Sequence, residues 1–406
     1  MSDTGRTIRE QTEQNHYKIY KRYPITLDKS AGSRVWDTEG NEYIDALAGI
    51  AVNSVGHCHP KVVEAIQNQA ARLIHISNLY YSEPQAKLAA KLTEISGMDR
   101  VFFCNSGAES IEAAIKTARR YGNKKGKKGL ILSMENCFHG RTLGAIAMGK
   151  EKYRKGFEPI PEGFGRIPMN DMGALRGSIN PDTVAVIIEP VQGEGGIKPA
   201  SKEYLEEVRS LCDQHDVLLI FDEIQCGIAR TGKMFAWMHT GVKPDIICTA
   251  KALGGGFPIG ATLATDKAAS SIDYGQHGTT YGGNPLACAA ANAALQVIED
   301  DNLCAAAEEK GSYMMQTIKE RTSGWSEIKE VRGIGLMIGV DLNFKGADVV
   351  NKMHEKGVLS NCASDTVMRI VPPLVISYEE IDKVIDVLLE SIRECAPAEA
   401  EIEESK

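Results

Sequence analysis

From Pro60 onward, apolar runs of strand length alternate with amphipathic runs of helix length. This alternation confines the chain to an α/β fold, a mostly parallel sheet covered by helices on both faces. RVFFCN leads into ESIEAAIKTARRYG and TVAVIIEP into KEYLEEVRSLCDQH, while LILSM, VLLIFDE, DIICTAK and ATLAT supply further strand-length runs. NPLACAAANAALQVIED, rich in small and apolar residues, reads as a long buried helix that carries the chain out of this lobe near residue 300. The first 30 or so residues read as a helix and an extended arm. SRVWDTEGNEYIDALAG follows, with Glu39-Gly40-Asn41 as the turn of a hairpin. Beyond residue 300, IKEVRGIGLMIGVDL and VMRIVPPL supply short strands among helices, and Ser377 with Glu380 three residues later forms a capping box for the last helix. The expected division is residues 1–59 as arm and hairpin belonging to a small α+β domain, 60–300 as the large domain, 301–395 completing the small domain, and 396–406 as a disordered acidic tail.

The composition narrows the function classes. Over 406 residues, 43% hydrophobic and 25% charged residues are the balance of a soluble globular protein. A net charge of -8 with scattered Lys and Arg excludes a nucleic-acid stripe. No apolar run suits a bilayer or a signal peptide, so a cytoplasmic location and no membrane partner are expected. Ten cysteines without a CxxC pair read as reduced, with Cys104, Cys248 and Cys288 used as small core hydrophobes. His57-Cys58-His59 precedes Pro60 at a turn into a helix, and adjacent residues converge poorly on one ion, so no metal is expected.

Chemistry concentrates at strand ends. VLLIFDEIQ ends in Asp222 and Glu223, and Lys251 follows 29 positions after Asp222 in DIICTAKALGGG. The carboxyl edge of an open α/β sheet is where ligands bind. An amine and an anion facing each other there suit pyridoxal phosphate, which needs a Schiff-base lysine and a partner for its ring nitrogen. An interlobe ion pair is the competing reading of Asp222 and Lys251. Ser106-Gly107-Ala108 connects a strand to a helix whose amino terminus offers amides and a dipole to a phosphate. In FHGRTLG, residues 138–144, Phe138 suits stacking on a planar cofactor and Arg141 a bidentate carboxylate contact, against the plainer readings of core ring and surface cation. HGTTYGGNP, residues 277–285, has hydroxyls and glycines suited to a phosphate, or to a flexible turn. No GxGxxG follows a strand, and Ala252 after Lys251 departs from a P-loop.

FDEIQCGIARTGKMFAWMHTGVKPDIICTAKALGGGFPIGA, residues 221–261, resembles over its full length the signature segment of class III aminotransferases of fold type I. GIAVNSVGHCHP, SNLYYSEPQ, CNSGAES, EPVQGEGG and HGTTYGGNPLACAAA resemble the acetylornithine branch of that class. The resemblance implies transfer of the terminal amino group of N2-acetyl-L-ornithine to 2-oxoglutarate in arginine synthesis, with pyridoxal phosphate as cofactor. It implies Lys251 as the Schiff-base lysine and proton shuttle and Asp222 as partner of the ring nitrogen, with Glu223 beside it in the cofactor site. Ile224 then packs on the ring, Gln225 reaches its phenolic oxygen, and Phe138 covers the other face. Gly107 and Ala108 hold the phosphate with Thr280 from a neighbouring subunit, which makes the active unit a homodimer with shared sites. Arg141 and Thr279 are implied for the acylated ornithine, Arg369 for the 1-carboxylate of glutamate, and Glu194 as a switch that pairs with Arg369 in one half-reaction only. Cys226, Ala229 and Ala252 stand where the family pattern has Thr, Gly and Gly; the two alanines are expected to have ordinary backbone angles. Rival readings are aminotransferases of ornithine, 4-aminobutyrate, an acylated lysine or succinyldiaminopimelate, a class III aminomutase or decarboxylase, and a nucleotide-binding α/β protein.

Overall fold

The computed structural model describes residues 3–397. All but the first two residues of the expected acidic tail, 396–406, therefore lie outside the described residues. The central sheet has seven strands in the order Arg100–Cys104, Gly260–Ala264, Ile246–Thr249, Leu218–Asp222, Thr183–Ile188, Leu130–Met134 and Phe164–Ile167. Gly260–Ala264 alone pairs antiparallel with its neighbours, and the other pairings are parallel. Because successive side chains point to opposite faces, Ala185, Ile187, Leu218 and Ile220 meet Ile111, Ala114, Ile115 and Ala118 of the helix Gly107–Asn123 on one side. Val186, Ile188, Leu219 and Phe221 meet Tyr204, Leu205, Val208 and Cys212 of the helix Lys202–Gln214 on the other. Burial on both faces is why these strands read as unbroken apolar runs.

The rest of the chain wraps this sheet. Leu27–Ala31, Arg34–Asp37 and Glu42–Asp45 form an antiparallel meander, its turn held by Asp37 Oδ1 accepting from Glu39 N and Asn41 N at 2.9 Å each. Val358–Leu359 from the far end of the chain adds to it in parallel. Ile328–Ile334, Met337–Leu342, Val367–Ile370 and Asn361–Ala363 make a second antiparallel sheet. The helix Pro285–Asp300 packs on Pro60–Ala70 and Glu83–Ser96. The last helix, Tyr378–Cys395, carries the expected capping box at Ser377 and Glu380. Cys104, Cys248 and Cys288 are buried, and the cysteines of the described residues are free thiols. His57 Nε2 is hydrogen-bonded to Asp45 Oδ2 at 2.7 Å, a tie between the meander and the following loop. Among the described residues no helix is long and apolar enough to cross a membrane.

The segment after Leu218–Asp222 is fastened by two buried charged groups. Arg230 donates to Leu336 O at 3.2 Å and Ser54 Oγ at 3.1 Å, which joins the amino-terminal part, the signature segment and the carboxyl-terminal sheet. Glu223 is fully buried, its two oxygens accepting from Ala236 N at 2.7 Å and Trp237 N at 2.8 Å. Ala229 corrects the backbone expectation: its φ of 66° lies in the left-handed region, a strain of about 1 to 2 kcal/mol for alanine. Its methyl packs fully buried in the core, which offsets part of that cost.

Burial pushes the Glu223 carboxyl up to about 7 from a usual value near 4.5, against the pull of its two amide donors. A carboxyl raised in the folded state contributes stability that is complete below about pH 4.5 and lost as pH rises through about 7, roughly 3 kcal/mol for such a shift. The advantage of the native chain over Glu223→Gln in denaturant midpoint should therefore be largest near pH 4.5 and shrink by neutral pH. An advantage that stays constant over that range would show that the carboxyl titrates normally.

Candidate active site

At the carboxyl edge of the sheet, a cleft of about 470 Å³ opens among the loops that leave the strands. Asp222 ends Leu218–Asp222, Lys251 lies two residues past Ile246–Thr249, and Gly107 begins the helix that follows Arg100–Cys104; all three line it. Ala108, Phe138, Arg141, Ile224 and Gln225 line it as well, so the fold gathers most of the positions singled out in the sequence.

Lys251 sits at a φ of 45°, held there by the turn between its strand and the short helix Lys251–Gly254. Such strain gathers where a side chain must be aimed. Burial lowers its pKa from the ordinary lysine value and the Arg369 charge lowers it further, with Asp222, Glu194 and Glu189 acting the other way. Lowering favours the neutral amine, the form that attacks a carbonyl carbon. Asp222 is nearly fully buried; its Oδ1 accepts from Ile224 N at 3.0 Å and its Oδ2 from His139 Nδ1 at 2.7 Å. Burial disfavours the His139 cation, but Cys137 and the Asp222 carboxylate beside it prevail, and its pKa lies well above the ordinary histidine value.

The anion cradle forms where Ser106 caps the helix Gly107–Asn123, its Oγ accepting from Glu109 N at 3.3 Å. The first amides of a helix have no intrahelical acceptor, so those of Gly107 and Ala108 remain for an anion in the cleft. A Cβ at position 107 would lie 2.8 Å from Ile224 Cδ1, so any side chain there would push Ile224 aside. Glycine leaves Ile224 close beneath the cradle. Arg141, at the exposed mouth, stacks over the Tyr153 ring at 4.1 Å and the Phe138 ring at 5.6 Å.

Arg369 of the strand Val367–Ile370, and Glu194 with it, lie outside the cleft lining; Arg369 is almost wholly buried and donates to the Glu194 carboxylate, to Gln225 Oε1 at 3.3 Å and to Asn361 Oδ1 at 3.1 Å. Burial works against the Glu194 anion, but Arg369, then Lys251 and Lys150, hold its pKa below the usual carboxylate range.

Glu223 needs correction as a cofactor residue. It follows Asp222 directly, and alternation sends its side chain away from the cleft onto the amides of Ala236 and Trp237. Thr279 lies beside the cleft, with Asn105 Nδ2 donating to its Oγ1 at 3.3 Å, and Thr280 is exposed and lines no part of its own chain's cleft. His139 and Glu189 both line the cleft and were missed. Each stood in a quoted motif, FHGRTLG and EPVQGEGG, and a titratable residue adjoining an apolar strand was the available signal. Glu189 is buried, and its two oxygens accept from Phe138 N at 2.9 Å and Gly193 N at 3.0 Å.

These residues fit pyridoxal phosphate. A buried amine of lowered pKa faces a buried carboxylate, a helix amino terminus stripped of side chain at Gly107 suits the phosphate, and Ile224 and Phe138 supply apolar surfaces for a planar ring. The comparisons agree with this geometry. Residues 17–392 match the model of the class-III aminotransferase family. The acetylornithine aminotransferase of Methanocaldococcus jannaschii is 55% identical over 386 residues, 93% of this chain and 96% of that one. An ornithine aminotransferase structure from Toxoplasma gondii, reported with partial occupancy of pyridoxal phosphate at its active site, superposes with a TM-score of 0.92 at 35% identity, covering 98% of this chain and 96% of that one. The acetylornithine aminotransferase structure from Elizabethkingia anophelis gives a TM-score of 0.86 at 35% identity, covering 96% and 99%. With the lysine, the carboxylate and the anion cradle in one cleft and the family pattern running through nearly all of its length, the chain belongs to the class-III aminotransferases, which work with pyridoxal phosphate.

Proposed function

We propose that this enzyme transfers the terminal amino group of N2-acetyl-L-ornithine to 2-oxoglutarate, giving N-acetyl-L-glutamate 5-semialdehyde and L-glutamate. The observation that carries the reading is the buried Arg369–Glu194 pair, which lies outside the cleft lining and is joined to it through Gln225. Acetylornithine presents a terminal amine with no carboxylate next to it, whereas glutamate reacts through an amine that has one. One site must accept both. With Glu194 on Arg369, this side of the site is electrically closed and suits the carbon chain of the acylated ornithine; with Glu194 withdrawn, the guanidinium is free to take the 1-carboxylate of glutamate. Leaving that guanidinium unpaired would cost roughly 3 to 5 kcal/mol, so an exchange of partners is favoured over simple release. The names of relatives at 55% and 51% identity support the acylated substrate. The ornithine aminotransferases among the structural relatives, one at a TM-score of 0.93, favour free ornithine as the second reading.

Bound pyridoxal phosphate supplies an electron-withdrawing ring that stabilises negative charge at the carbon next to the reacting nitrogen. The chain's own groups do the rest. Asp222, braced by His139 and Ile224 N, presents a buried carboxylate for the ring nitrogen, and Lys251 Nζ takes and returns the proton of the substrate carbon. All lining the cleft, Gly107 and Ala108 would offer amides to the phosphate, Gln225 would hydrogen-bond the phenolic oxygen, and Phe138 and Ile224 would keep water from the ring. Arg141, which lines the mouth of the cleft, and Thr279, which accepts from Asn105, would take the carboxylate of the acylated ornithine.

The active unit in this reading is a homodimer. Thr280 faces outward, and the exposed side chains of Leu79, Tyr80 and Tyr81 supply the apolar surface that an interface needs. Sedimentation should give a dimer, and Thr280→Ala should release the cofactor more readily during dialysis; a monomer, or cofactor retention equal to the native enzyme, removes the shared site.

The visible band of the purified holoenzyme should fall on addition of N2-acetylornithine and return with 2-oxoglutarate. Bleaching by ornithine alone would move the substrate, and a protein unable to take up the cofactor would end the reading. Glu194→Ala should slow the acetylornithine half-reaction by about 10-fold or more relative to the glutamate half, in line with a hydrogen bond between charged groups. Equal losses in both halves would refute the switch.

A further inference from the structure

Lys150, just past the helix Leu143–Met148, has no part in the reaction as described so far. Its half-buried ammonium donates to Glu194 O at 3.2 Å and Ser364 Oγ at 3.4 Å, both neutral acceptors, and makes no ion pair with any described residue. Burial lowers its pKa and Lys152 adds to that, while Glu194, Glu189 and Asp365 oppose them. A partly desolvated cation without a fixed counter-charge is costly to keep unless an anion visits it.

The main chain around Glu194 is pinned. Gly193 N donates to Glu189 Oε2 at 3.0 Å, Glu194 O accepts from Ser364 Oγ at 2.9 Å as well as from Lys150, and Gly196 O accepts from Arg332 Nη2 at 2.7 Å. Displacement of the Glu194 carboxylate is therefore a side-chain rotation on a fixed backbone. Three cations hold the Glu194 pKa down: Arg369, Lys251 and Lys150. In the glutamate half-reaction the first is taken by the incoming carboxylate and the second is committed to the reacting carbon. The third already touches the carbonyl of Glu194 itself and is near enough to its carboxylate to lower its pKa.

We propose that Lys150 is the second seat of the switch: when the 1-carboxylate of glutamate or 2-oxoglutarate displaces Glu194 from Arg369, the Glu194 carboxylate turns onto the Lys150 ammonium. Both anions then stay paired, and neither half-reaction leaves the Arg369 guanidinium or the Glu194 carboxylate alone. This rests on the reading that Glu194 releases Arg369 in the glutamate half.

The test uses holoenzyme variants and follows each half-reaction separately by the visible spectrum, together with calorimetric binding of glutarate, a dicarboxylate without an amine to react. Lys150→Met should weaken the glutamate half relative to the acetylornithine half, and glutarate binding with it, by about 10-fold or more. Glu194→Ala biases the two halves in the opposite sense. Lys150→Arg should restore most of the ratio. The double variant Glu194→Ala/Lys150→Met should match Glu194→Ala, since without the carboxylate the second seat has no occupant. Ser364→Ala, which loosens the same carbonyl but keeps the charge, should shift the ratio far less than Lys150→Met. Equal losses in both halves for Lys150→Met, or glutarate binding unchanged, would overturn the proposal while leaving the switch intact. A Glu194→Ala variant without any bias between the halves would overturn the switch and the proposal together.

Discussion

Arg369, with 1% of its surface exposed, is paired with the Glu194 carboxylate, and the cost of breaking such a buried pair without a substitute constrains that end of the active site. It projects from a strand of the carboxyl-terminal sheet, while Glu194 and Gln225 belong to loops of the central sheet. The pairing thus ties two parts of the fold together beside the cleft. The loop that brings Glu194 there passes so close to Gln225 that a Cβ at Gly193 would lie 2.4 Å from it. Tight backbone packing and charge compensation are here one requirement.

A second set of charges backs the cofactor position. Asp222, His139 and Glu189 lie buried beside Lys251, and each polar contact among them fixes a neighbour: His139 holds Asp222, and Glu189 holds the backbone of both Phe138 and Gly193. Glu189 therefore links Phe138 to the loop that carries Glu194. Buried groups of this kind are aimed by hydrogen bonds rather than by packing alone, which keeps the cleft's geometry set before any ligand enters.

Much of this was legible in the chain. Thr183–Ile188 and Leu218–Asp222 were visible as strands because burial on both faces demands unbroken apolar runs, and the capping box at Ser377 was visible because its chemistry is local. Lys251 and Asp222 were legible because both stand just beyond such strands, at the edge where ligands bind. The rest depended on orientation. Glu223 looked equivalent to Asp222 until strand alternation turned it to Ala236 and Trp237. The left-handed angle at Ala229 left no local mark, because the turn that requires it is set by contacts across the fold. His139 and Glu189 carried the same letters as any surface histidine or glutamate.

The amino-acid sequence by itself determined the layered α/β architecture, the lysine and carboxylate at the sheet edge, and the anion-binding turn, since these follow from periodicity, strand ends and local backbone chemistry. Only the tertiary structure decided which charges meet. The pairing of Arg369 with Glu194, 175 residues away, was implied by the family resemblance and not by periodicity or spacing, and the contact of Lys150 with Glu194, 44 residues away, was not implied at all. Their interaction energies exist only once folding has removed the water that would otherwise screen each charge from the others.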